Sequence, residues 1–163
     1  MEMKNKIVKV AKVCYIVAKV LYCLAFAVCL TFIALAIALP LTNVIDAYTP
    51  AEIAIVFATA ALYAFMCIGL LWNVEGLFKS IAKEQTPFCE AVCHYLKKIA
   101  VFVLLTEIIP SILGSTVLKI VCPASDFNFP IDVGGLIAGG VLFLIGMCFQ
   151  YGNELQKKDD ETL

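Results

Sequence analysis

Apolar residues in this chain neither alternate nor recur on a single face. They run together in four stretches, from Val13 to Leu39, Ile53 to Leu71, Ile99 to Leu118 and Val133 to Gly152. A helix rises only ~1.5 Å per residue and needs roughly 20 residues to cross ~30 Å of hydrocarbon. Each stretch meets or approaches that length. In lipid every backbone N–H and C=O has to find a partner within the protein, so uninterrupted apolar runs of this kind predict helices. The pattern predicts an all-α fold, an integral membrane bundle of four transmembrane helices with spans near 13–39, 52–72, 99–118 and 133–152. Residues 1–163 then form one transmembrane domain, with a loop at 73–98 and a tail at 153–163.

The polar positions add orientation. Eleven of the twelve lysines gather at the ends that share one side: ten precede the first stretch, separate the second from the third, or follow the fourth, and Lys19 lies near the start of the first; Lys119 is the exception. Lysines near span ends mark the cytosolic side, so both termini, the 73–98 loop and the tail are expected to be cytosolic. Lys9, Lys12 and Lys19 lie near one helical face, which lets the first helix begin in the headgroup layer. Its apolar run of 27 residues is much longer than the core of a signal peptide, about 7–15 residues. That favours an uncleaved anchor, although Ala34-x-Ala36 and Ala36-x-Ala38 resemble cleavage sites.

Several helix boundaries carry their own chemistry. Pro40 and Asn43 are expected to end the first span. Thr49-Pro50-Ala51-Glu52 is a capping box with proline at the first helical position. Trp72 is an interfacial anchor, and Thr86-Pro87 is expected to cap the third helix. In the last span, Gly135, Gly139, Leu142 and Gly146 share one face. Small residues at such spacing let two backbones approach closely. The neighbour is either another span of this chain or a second copy, the latter giving a homo-oligomer through Gly135, Gly139 and Gly146. Pro50-x-Glu52 and Pro130-x-Asp132 each precede a span, which suggests two related hairpins; common helix-start chemistry is the alternative.

Composition narrows the function classes. A hydrophobic content of 63%, 15% charged residues and mean hydropathy of +0.97 exclude an ordinary soluble domain. Arginine is absent, which removes bidentate phosphate clamps, and no direct nucleic-acid binding is expected. Of eight cysteines, Cys122 alone falls on the outer side, so a Cys-x-x-Cys oxidase site is missing there. Cys89, Cys93 and His94 form the nearest approach to a metal cluster, but His94 points about 100° away from Cys93 and no fourth ligand is evident. No metal, no cofactor and no catalytic constellation is expected, and the chain reads as a non-enzyme.

Two cytosolic motifs carry a family resemblance. The first is Leu77-Phe78, then Thr86-Pro87-Phe88 and Leu96-Lys97-Lys98-Ile99. The second is Phe149-x-Tyr151-Gly152-x-x-Leu155-Gln156-x-x-x-Asp160-Glu161-Thr162-Leu163. In both motifs, their order and the four spans, the chain resembles a bacterial membrane family catalogued only as domain-of-unknown-function family 2975. It departs from members near Tyr95, where arginines are usual, and near Gln150, where a basic residue is. The resemblance implies a multi-pass protein of the bacterial cytoplasmic (inner) membrane. Members are often encoded beside small helix-turn-helix regulators, which implies a cytosolic or membrane protein partner. Pro87, Phe88, Gly152, Leu155, Gln156, Asp160 and Glu161 are the candidate partner-binding residues.

One residue inside the spans competes with that reading. Glu107 lies nine residues past Lys98, ~13 Å into the bilayer. An acid at mid-span costs ~2.5–3.5 kcal/mol on insertion scales, so it is expected to face protein or water. Pro110 leaves the carbonyl of Thr106 without its helical donor. Glu107, Thr106 and Pro110 thus make a candidate intramembrane polar site for a proton or cation, the alternative being a protonated Glu107 hydrogen-bonded within the fold. The favoured expectation is interaction at the cytosolic face; the other is a small oligomeric proton- or cation-linked transporter or channel using Glu107.

Overall fold

A computed structural model describes residues 2–42, 48–84 and 89–161. They form four helices, α1 (Glu2–Thr42), α2 (Pro50–Glu84), α3 (Glu90–Val121) and α4 (Val133–Glu161). Each contains a stretch long and apolar enough to cross a membrane. Pro87 and Phe88 lie outside the described residues, as do Thr86 and Asn43; Gln156, Asp160 and Glu161 fall on α4, with their side chains outside that description. Pro40 does not end α1, which continues to Thr42. Proline removes one donor near a helix end and leaves the following residues free to stay helical.

Among the described residues, the helices pack in series, α1 on α2, α2 on α3 and α3 on α4. The bundle is therefore open. Its edge helices α1 and α4 bury 6% and 11% of their most apolar windows, against 22% and 28% for the inner α2 and α3. Lipid gives no hydrophobic drive for helix association, so close packing has to come from shape. On α1 the less exposed positions run from Val8 through Ala11, Ala18 and Ala25 to Leu39 in alternating steps of three and four, with Cys14 and Pro40 flanking that row. That is a heptad seam, with small residues at Ala11, Ala18 and Ala25 admitting α2. Tyr22 meets Trp72 at 5.9 Å between ring centroids, and Phe32 meets Phe57 at 6.3 Å. On α2 the exposed positions of the spanning part reduce to Ala58, Phe65 and Trp72, one heptad apart.

The Thr49–Glu52 capping box is present in full. The Thr49 N–H and hydroxyl both donate to Glu52 Oε2 at 2.8 Å, and the Glu52 N–H donates back to Thr49 Oγ1 at 3.3 Å.

The glycine face of α4 is taken by α3 of the same chain. A Cβ at Gly135 would lie 2.7 Å from Glu107 Cδ, one at Gly139 2.8 Å from Leu104 Cδ2, and one at Gly146 3.1 Å from Lys97 Cγ. Of the two neighbours the spacing allows, another span of this chain occupies the face of Gly135, Gly139 and Gly146, which leaves that seam filled within the chain and not open to a homo-oligomer.

The same contacts set a register with a consequence for the fourth span. Gly135, in the first turn of α4, is level with Glu107, near the middle of α3. The distal half of α3 therefore has no helical partner in α4. Residues 122–132 turn back along it instead: Phe129 packs near Gly114, and Ser111 Oγ donates to the Pro130 carbonyl at 3.3 Å. Where the sequence suggests matched hairpins, α2 starts at Pro50 itself, whereas α4 starts three residues after Pro130, with Gly134 N–H on Asp132 Oδ1 at 2.9 Å.

Candidate functional site

The mid-span polar residues are arranged around this late start of α4. The Thr106 hydroxyl is spent on its own helix, donating to the Phe102 carbonyl at 2.7 Å, so it does not reach Glu107. Pro110 is fully buried and α3 runs through it without interruption. Glu107 lies over Gly135 on one side and within electrostatic range of Cys67 of α2 on the other. Among the described residues no hydrogen bond reaches its carboxyl, yet no buried side-chain oxygen is left without a partner. The Glu107 oxygens are therefore part of the accessible surface.

One turn further along α3 is a cluster that the sequence reading missed. Tyr63 Oη of α2 and Ser111 Oγ of α3 are 2.6 Å apart, and Ser111 is 1% exposed. Together with the Pro130 carbonyl they tie α2, α3 and the folded-back segment into one polar knot. The available signal was a serine directly after Pro110 and a tyrosine mid-span, both far from either predicted boundary.

A second polar region lies at the lysine-bearing end. Between α3 and α4 a cleft of about 480 Å³ is lined by Glu90, Cys93, His94, Lys97, Gln150 and Asn153, among others. The Lys97 ammonium donates to Gln150 Oε1, and the Gln150 amide donates to Glu154 Oε1 at 2.9 Å. These bonds use the α3-facing side of α4. Three residues of the tail motif lie away from these bonds: Tyr151 is 65% and Leu155 45% exposed, and a Cβ at Gly152 would meet nothing within 4 Å.

Cys89 is the N-cap of α3 and His94 is exposed, with its ring 6.2 Å from that of Tyr95. Among the described residues no group of three or more His, Cys, Asp or Glu side chains converges as a metal site. All eight cysteines are free.

Four helices of spanning length, packed in one array, define a multi-span helical membrane protein. Comparison with protein families, curated proteins and solved structures returns no match.

Proposed function

We propose that this chain is a non-enzymatic membrane protein that acts through a protein partner at its cytosolic face. The proposed topology puts the lysine-bearing end inside a bacterial cytoplasmic membrane, following the positive-inside bias and the resemblance to family 2975. One observation carries the reading. Beyond the level of Lys97 and Gln150, α4 continues to Glu161 and presents Tyr151 and Leu155, one turn apart and both exposed. An aromatic and an aliphatic anchor at i and i+4 on a polar helix suit a groove on a partner protein. A small helix-turn-helix regulator is the partner class that the family resemblance suggests. In mild detergent, the wild-type protein should co-purify with a specific partner that Tyr151→Ala/Leu155→Ala loses at unchanged stability. Retention of the partner by that variant, or recovery of lipid and chaperones alone, sinks the proposal.

A second reading rests on Glu107. A carboxyl without a hydrogen bond among the described residues, beside the start of a shortened span, fits a small proton- or cation-linked transporter or channel. Reconstituted protein should then show a flux that Glu107→Gln abolishes; equal flux in that variant, or none in wild type, removes it.

A further inference from the structure

The folded-back segment 122–132 poses a solvation problem. Ser111, which holds the Pro130 carbonyl, is eight residues short of Lys119, ~12 Å along α3. It is fourteen residues beyond Lys97, ~21 Å on the same scale. The lower part of the segment thus lies at the depth of the hydrocarbon. Its backbone is not helical, and its positions are mostly exposed. The N–H groups of Ser125 and Phe127 are paired with Cys122 and Ser125. Those of Ala124, Asp126, Asn128, Phe129 and Ile131 have no partner among the described residues. An unpaired amide in hydrocarbon costs several kcal/mol, and irregular backbone at this depth survives only against protein or water.

We infer that water enters the distal half of the fourth span along residues 123–133 and reaches the Glu107 carboxyl, making it an intramembrane proton-binding group open to one side. The mouth is already polar: Tyr48, Glu52, Ser125, Asp126 and Asn128 line a recess of about 380 Å³. From there the unpaired amides descend to Asp132, which caps α4 beside Gly135 and hence beside Glu107. Among the titratable groups of the elements packed on Glu107, Cys67 of α2 lies within electrostatic range, and Asp132 precedes by three residues the Gly135 over which Glu107 lies. The inference supplies the access path that the second reading above requires, and it stands or falls separately, because a recess can exist without flux.

The test uses depth-resolved fluorescence in bilayers. The chain has one tryptophan, so Trp72→Phe gives a dark background. Leu113→Trp and Ile131→Trp then place reporters at similar depth, at positions 50% and 41% exposed. Brominated acyl chains should quench Leu113→Trp several-fold more than Ile131→Trp, and iodide the reverse. Equal quenching of both by bromine overturns the recess, because the segment would lie in lipid. Equal quenching of both by iodide overturns it too, because the whole level would then lie outside the membrane. Hydrogen exchange on the wild-type protein in nanodiscs checks the result without mutation: amides 124–131 should exchange far faster than those of α3, and slow exchange overturns the inference. A pH step should give a carboxyl infrared signal that Glu107→Gln lacks; identical spectra break the link to Glu107.

Discussion

Replacing Gly114 by alanine inserts a methyl group where α2, α3 and the folded-back segment meet. An ideal Cβ there would lie 2.7 Å from Thr59 Cγ2, 2.8 Å from Thr59 Oγ1 and 3.0 Å from Phe129 Cδ2. Carbon atoms pack best at ~3.5–4.0 Å, so Thr59 has to retreat by more than half an ångström and Phe129 by about half. Thr59 is poorly placed to do so, since it is buried and its hydroxyl is held by the Ile55 carbonyl at 2.8 Å. Overpacking a tight site costs ~1–3 kcal/mol. Alanine regains up to ~1 kcal/mol of helix propensity, leaving a net loss of about 1 kcal/mol, with a larger loss for valine. Denaturation in mild detergent under SDS titration measures it. Thr59→Ala removes the two nearest atoms, so the pair Gly114→Ala/Thr59→Ala should recover stability, with a coupling of ~0.5–3 kcal/mol. If Gly114→Ala is as stable as wild type, or the two changes simply add, the packing argument at this junction is wrong.

Other expectations follow from single contacts. Thr49→Ala dismantles the reciprocal cap of α2 and should cost ~0.5–2 kcal/mol in the same titration; no change would mean that the cap is already solvated. Tyr63→Phe removes one hydroxyl from the mid-span knot at ~0.5–1.5 kcal/mol. Ser111→Ala should cost more, ~1–3 kcal/mol, because it strands both Tyr63 and the Pro130 carbonyl; the reverse order would remove Ser111 from the centre of the knot. Ala18→Leu puts a large side chain into the α1–α2 seam and should separate Tyr22 from Trp72. The emission of the one tryptophan reports this directly, and an unchanged spectrum argues against the heptad seam.

The parts of the fold legible in the sequence are those governed by local chemistry. Four apolar runs give four helices because lipid leaves the backbone no other choice. The Thr49–Glu52 cap needs residues only three apart, and the α4 face of Gly135, Gly139 and Gly146 follows from helical spacing alone. What that face touches is a tertiary question, answered by α3 and not by a second copy. The shortened fourth span was hidden for a related reason. Hydropathy measures how long Val133–Gly152 is, but not where its start falls against α3. That register is set by Gly135 on Glu107 and by Phe129 at Gly114, contacts more than ten residues apart in sequence. Glu107 was legible as an anomaly, being an acid in an apolar run. Its surroundings were not: Thr106 turns its hydroxyl away, Ser111 one turn on is engaged by Tyr63 and the Pro130 carbonyl, and both Tyr63 and Asp132 belong to elements that no local pattern links to Glu107.

The proposal that the cytosolic face does the work is tested most directly by photo-crosslinking in living cells. A benzophenone amino acid at Tyr151 replaces one aromatic by another on the exposed ridge, and the same probe at Ile137, 63% exposed on the spanning part of α4, serves as the lipid-facing reference. The account predicts a discrete protein adduct from position 151 that position 137 does not give and that Leu155→Ala weakens. The same adducts from both positions, or none from 151, would contradict it.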